Sequence, residues 1–315
     1  MSRHPIRFGL QTGQQNVDWM TLRDFWQKAD GWGYDSLWNF DHFYPIFTDP
    51  SGPCLEAWTT LAALSQVTSN ARIGHLVNGN TYRNPALVAK MAATLDHASA
   101  GRFVLGIGAG WFEHEHESLG VDFKTVRGRL EALDESLRIL RGMFTEEKTT
   151  FHGKHYTVNG AMCVPKPLQK PHPPILIGGT GEKVLLRIVA EHANMWNAMG
   201  SVDQMRHRIE VLHRHGESVG RDAGTIEKTV GMMLCYRATK EREKVMTGIV
   251  ANMRQVTQGA ARDLMMVGDR DECLERIGRY VAVGVTHFIF MLIAPYFADE
   301  VQAFAEEVIP AAREM

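Results

Sequence analysis

Asp35-Ser36-Leu37-Trp38-Asn39-Phe40-Asp41-His42-Phe43 reads as a short buried strand that ends in an acid and an imidazole. Leu37, Trp38 and Phe40 belong inside a sheet. A carboxylate and an imidazole are costly in an apolar wall unless they are paired. At the C-terminal end of a parallel strand they face the mouth of an α/β barrel, where such folds carry their chemistry. Asp41 and His42 are therefore the first candidate site residues. The rest of the chain decides whether a barrel is built around them.

Working outward, strand-like and helix-like segments alternate. Residues 6–11 form a short apolar run. A helix follows over 18–31, with Asp18 as N-cap and Gly31 and Gly33 closing it. The strand at 36–40 is followed by a helix at 55–68, a strand at 71–77 and a helix at 85–98. Pro85 suits the first position of that helix. A strand at 103–108 precedes a long helix over 124–143. Its stripe of Leu130, Leu133, Leu137 and Leu140, reaching Phe144, marks a buried face. The rhythm then breaks over 147–174, where Thr149 to Val158 reads as a hairpin around His152-Gly153 and five prolines follow. It resumes with strands at 175–177, 193–197, 226–236 and 285–290. Helices are expected at 182–192, 202–219, 269–283 and 298–312, with an extra helical segment over 239–263.

Eight strands, nearly all followed by helices, give a parallel sheet with right-handed crossovers. The count favours a closed (β/α)8 TIM barrel: a single domain over 1–315 with insertions after strand 4 (147–174) and strand 7 (239–263). An open doubly wound sheet would carry a Gly-rich turn after its first strand, and Gln11-Thr12-Gly13-Gln14 is not one.

Bulk properties exclude several classes. The 315 residues carry 34 basic and 36 acidic side chains, so nothing points to nucleic acid. No stretch is long and apolar enough to span a bilayer, and MSRHPIRFGLQTG enters a strand-like run without a signal region. Cys54, Cys163, Cys235 and Cys273 are far apart, which suits a reducing cytoplasm.

Three further motifs carry possible chemistry. Phe103 to Trp111 contains Gly106, Gly108 and Gly110, but Trp111 stands where a dinucleotide fingerprint needs glycine. Alternate glycines in a barrel strand let a flat ligand approach the backbone, or relieve crowding. Gly178-Gly179-Thr180-Gly181, between strand and helix, offers N–H groups to a phosphate. Glu113-His114-Glu115-His116-Glu117 lacks the spacing of a metal site. It reads as a solvated or lid-forming polar stretch, and no metal is expected. His75 reads as a wall histidine. No GxSxG elbow, Ser-His-Asp order or phosphate-binding GxxxxGK[ST] loop is present.

Taken in order, Leu37 to Phe43, Tyr82-Arg83-Asn84-Pro85, Gly106 to Trp111, Leu176 to Gly179, Val267-Gly268-Asp269 and Val283 to His287 resemble the luciferase-like monooxygenase superfamily over nearly the whole chain. The Asp-His-Phe strand end is most similar to the branch that uses the deazaflavin coenzyme F420. That resemblance implies an F420-dependent oxidoreductase, with Asp41 contacting the deazaflavin and His42 at the reaction site. It implies a non-prolyl cis peptide behind the ring, which by position falls at Leu76-Val77 with Asn78 beside it. Gly108 and Gly178-Gly179-Thr180-Gly181 would serve coenzyme binding, and Trp111 would wall the substrate pocket. F420-dependent sugar-phosphate dehydrogenases of this superfamily carry a glutamate where this chain has Ala109, which argues against glucose-6-phosphate as substrate. A small-molecule substrate and a homodimer are expected. An FMN-dependent monooxygenase on the same barrel is the alternative, and a non-catalytic F420-binding protein a second.

Overall fold

The computed structural model describes residues 4–46 and 50–315. Its strands in chain order are β1 Arg7–Thr12, β2 Ser36–Asn39, β3 Arg72–His75, β4 Asn78–Gly79, β5 Phe103–Gly108 and β6 Thr149–His152. There follow β7 Thr157–Ala161, β8 Ile175–Gly178, β9 Met195–Ala198, β10 Glu227–Tyr236, β11 Met265–Gly268 and β12 His287–Leu292. Parallel pairing runs from β1 through β2, β3, β5, β8, β9, β10 and β12 and back to β1. These eight strands close a barrel with helices outside it. Closure leaves no long free edge and points every barrel strand's C-terminal end to one mouth.

Local chemistry places the helices. Asp18 accepts the Thr21 N–H and starts the helix Trp19–Gly31, whose Leu22, Phe25, Trp26 and Ala29 face the sheet. Asn84 caps Pro85–Ala98, with proline in the first turn. Asp269 and Glu272 form a capping box on Arg270–Ala282. Each cap satisfies N–H groups that a helix start leaves without partners.

Several boundaries differ from expectation for physical reasons. The helix expected from residue 55 starts at Ala57, because Glu56 accepts the Trp58 and Thr59 N–H groups and so occupies the cap. The hairpin turn takes four residues, 153–156, rather than a tight pair at His152-Gly153. The Glu135 carboxylate accepts the N–H groups of Lys154, His155 and Tyr156 at 2.8–3.0 Å and holds the wider loop. Strand β11 was not expected. Ten-residue β10 outruns β9: its first four residues pair with β9 and its last four pair with β11 instead. The added strand satisfies backbone groups that would otherwise be orphaned. Among the described residues, no helix is long and apolar enough to cross a membrane.

The barrel floor is polar but sealed. Ser36 Oγ lies 2.9 Å from His287 Nε2, and His287 Nδ1 lies 3.2 Å from Glu227, which also pairs with Arg7. This resembles a Ser-His-acid arrangement, yet all three side chains are buried. Trp38 Nε1 donates to Ser36 Oγ, and a methyl at Gly9 would meet that oxygen at 2.2 Å. No substrate carbonyl has room there, so the network organises the floor.

Higher in the barrel the chain leaves β3, makes a cis peptide at Leu76–Val77, and rejoins the sheet as β4. This bulge explains the alternate glycines. A methyl at Gly106 would lie 1.8 Å from the His75 carbonyl oxygen, and methyls at Gly108 and Gly178 would lie within 3 Å of the Val77 side chain. Their missing side chains are space for the bulge, the crowding relief that glycine in a strand can serve. Gly106→Ala is expected to destabilise the fold by about 3 kcal/mol, read as a lower urea midpoint. An unchanged midpoint would show that the bulge yields freely.

Candidate active site

A cavity of about 410 Å³ opens where the barrel strands end. Asp41, His42, Leu76, Val77, Asn78 and Trp111 all line it, so the structure gathers most of the expected site residues in one place. A larger cavity of about 740 Å³ lies at the opposite, N-terminal end, beside Ile6, Lys228 and Thr286, and contains none of them.

Two glutamines hold the site's backbone in place. Gln14 donates from its amide to the Phe40 carbonyl (2.6 Å) and accepts the Phe40 N–H (3.3 Å), so its side chain continues the pairing of β2. That fixes the strand end from which Asp41 and His42 project. Gln11 donates to the Leu76 carbonyl at 2.7 Å and fixes the bulge from the other side.

Asp41 is buried. Its Oδ2 accepts the Gly79 N–H (3.0 Å) and Arg83 Nη1 (2.7 Å), while Arg83 Nη2 reaches Glu56 at 2.8 Å. Burial pushes the Asp41 carboxyl above its ordinary value, and Arg83 and the Gly79 N–H pull it back. Its Oδ1 has no partner among the described residues. Asn78 behaves in the complementary way: Oδ1 accepts Trp58 Nε1 at 2.9 Å, and the buried Nδ2 has no partner. One acceptor and one donor, both desolvated, are thus left on residues that line the same cavity. Such groups are costly unless a ligand satisfies them.

His42 is nearly buried beside them. Its Nδ1 lies 2.8 Å from Glu115 Oε2, and its ring meets Trp111 and Phe112 edge-on at 5.6 and 5.8 Å. Trp111 is 61% exposed and forms an outer wall of the cavity.

Of the two readings of the polar stretch after β5, solvated or lid-forming, the structure departs from the first. Glu113–Leu119 is a helix across the barrel mouth, and Glu115 and His116 are fully buried rather than solvated. Glu115 Oε1 accepts the Phe43 and Tyr44 N–H groups, and Oε2 accepts Tyr82 OH at 2.5 Å. His116 bridges the Phe112 carbonyl and Thr81 Oγ1. Alternation in a seven-residue helix puts His114 outside and His116 inside. The two imidazoles therefore diverge, as expected for a helix.

Gly178-Gly179-Thr180-Gly181 sits at the end of β8, outside the cavity lining. The Gly179 N–H is already bonded to the Asn197 carbonyl at 2.9 Å. The next helix starts at Leu185 rather than residue 182, because residues 182–184 form a turn and no side chain caps them. The N–H groups of Thr180 and Gly181 have no acceptor among the described residues and border the mouth. Gly108 likewise backs Val77 without lining the cavity. His75 is a wall residue: it packs against Trp58 with ring centroids 4.4 Å apart and planes tilted by 54°, bonds Asn39, and burial pushes its pKa down to about 3.

Sequence reasoning passed over Glu115, Tyr82, Gln11, Gln14 and Met253-Arg254. The last pair, at the end of the helix Lys240–Arg254, lines the cavity from the segment after β10. Elsewhere Asp134, Glu191 and His192 converge, but Arg138 pairs with Asp134 at 2.9 Å and supplies the positive charge there.

Known proteins match this architecture end to end. The model of the luciferase-like monooxygenase family matches residues 2–247. An F420-dependent glucose-6-phosphate dehydrogenase of Microbacterium testaceum (strain StLB037) is 28% identical over 98% of this chain and 98% of its own. An FMNH2-dependent dimethylsulfone monooxygenase of Pseudomonas putida is 27% identical over 74% of this chain and 72% of its own. The solved structure of an F420-dependent secondary alcohol dehydrogenase in complex with an F420-acetone adduct superposes with a TM-score of 0.85. It is 21% identical and covers 98% of this chain and 99% of that one. With its closed barrel and a family match across more than three quarters of its length, the chain belongs to the luciferase-like monooxygenase family.

Proposed function

We propose that this protein is an F420-dependent oxidoreductase that moves a hydride between the coenzyme and a small organic substrate. The observation that carries the reading is the pair of orphaned buried groups, Asp41 Oδ1 and Asn78 Nδ2, on the cavity that also holds His42. A deazaflavin presents ring carbonyl and N–H groups that suit one acceptor and one donor. Leu76 and Val77 offer an apolar bulge for the ring to lie against. Thr180 and Gly181 offer N–H groups to its phosphate at the mouth.

When bound, the coenzyme supplies the hydride chemistry, and the chain supplies position and polarity. Asp41 and Asn78 orient the ring. His42 exchanges the accompanying proton with the substrate, a task for which imidazole is suited near neutral pH. Trp111, with Met253 and Arg254 across the mouth, limits water and bounds the substrate. The relative from Microbacterium is named for glucose-6-phosphate. Ala109 packs against the core outside the cavity lining, so it does not decide for or against that substrate.

The test is anaerobic incubation with F420 and a panel of alcohols, aldehydes and enones, following the visible absorbance of the coenzyme. Hydride exchange with any panel member supports the reading. F420 binding without exchange would favour a non-catalytic carrier. An FMN-dependent monooxygenase is the second reading, favoured by the Pseudomonas putida relative. It predicts oxygen consumption with reduced FMN.

A further inference from the structure

Glu115 stands outside the roles assigned so far, yet all its acceptor positions are committed. Oε1 takes two backbone N–H groups, from Phe43 at 2.6 Å and Tyr44 at 3.1 Å. Backbone amides can only donate, so Oε1 is fixed as an acceptor. Oε2 takes the Tyr82 hydroxyl and faces His42 Nδ1 at 2.8 Å. Burial alone would raise this carboxyl, but hydrogen bonds from His42, Tyr82 and Phe43 hold it below the ordinary glutamate range. An ionised carboxylate accepts and never donates. The proton between Glu115 and His42 therefore resides on Nδ1. In neutral imidazole the lone pair is then on Nε2, the ring nitrogen with no protein partner among the described residues.

We infer that Glu115 is a positioning residue: it locks His42 in the Nδ1–H form and so presents Nε2 to the cavity as a proton acceptor. The inference rests on the reading of His42 as the proton-handling group. It adds an atom to that role: as a substrate carbon gives its hydride to the coenzyme, the accompanying proton passes to Nε2, and the reverse reaction returns it from there.

Long-range 1H–15N NMR of protein labelled at histidine nitrogen reads the tautomer without coenzyme. Wild-type His42 is expected to be protonated on Nδ1 when neutral. In Glu115→Gln the amide oxygen stays with the Phe43 and Tyr44 N–H groups, so the amide NH2 turns toward His42. Nδ1 must then accept, and the proton moves to Nε2. Tyr82→Phe keeps the carboxylate and should keep Nδ1–H. Turnover in Glu115→Gln should fall about 100-fold or more, with coenzyme affinity unchanged. A wild-type Nε2–H tautomer, or an unchanged tautomer in Glu115→Gln, would overturn the inference. If that variant does not fold, the wild-type spectrum alone decides. Failure of F420 to bind wild-type protein would instead remove the functional reading and leave the tautomer assignment standing.

Discussion

His42→Ala is expected to lower turnover by about 10²- to 10⁴-fold, the range spanned by general acid–base groups, while F420 affinity stays close to wild type. The separation follows from geometry. His42 lines the cavity, but its ring has no polar partner other than Glu115 among the described residues, and the orphaned groups assigned to the deazaflavin ring belong to Asp41 and Asn78. Removing the imidazole takes away the proton-handling atom and leaves the ring's contacts in place. Glu115 retains its donors from Phe43, Tyr44 and Tyr82, so the helix across the mouth stays docked. Steady-state kinetics on the best panel substrate, paired with a coenzyme titration, checks this. Unchanged turnover would remove His42 from the mechanism. A parallel loss of coenzyme affinity would make it a binding residue.

Asp41→Asn should do the opposite and weaken coenzyme binding by about 10- to 100-fold, the worth of one hydrogen bond to a charged group. The amide must keep its oxygen for the Gly79 N–H and Arg83, both donors. Its NH2 then takes the place of Oδ1, and the acceptor facing the ring becomes a donor beside the Asn78 NH2. The amide oxygen still accepts from Arg83, but the buried ion pair is lost and Glu56 is left as the charged partner of the guanidinium, so the thermal midpoint should also fall. Fluorescence titration and a melting curve on the same preparation distinguish lost affinity from lost fold. Wild-type affinity in a folded variant would mean that Oδ1 does not touch the coenzyme.

Much of this architecture is legible in the residues. Asp41 and His42 stand out because they end an apolar strand. Asp18 and Asn84 with Pro85 mark helix starts through their own side chains. The cis peptide at Leu76–Val77 falls where the family resemblance places it, though nothing in the local periodicity indicates it. Glu115 was hidden for a different reason. Glu113 to Glu117 is a run of charge, and which carboxylate turns inward depends on Phe43, Tyr44 and Tyr82, contributed by other loops. Gly120, left-handed at φ 67°, marks the end of that helix but says nothing about its inner face. The alternate glycines of β5 fit two readings, a ligand against the backbone or relief of crowding, and only their neighbours in space, His75 and Val77 of the bulge, favour the second. Strand β11 depends on the length mismatch between β9 and β10, which only pairing reveals.

The most direct test of the central claim is titration of the coenzyme-free protein with F420 and FMN side by side. Saturable, tight binding of F420 with little or no binding of FMN is the predicted result. Tight FMN binding with none of F420 would contradict it and assign the same cavity to flavin chemistry.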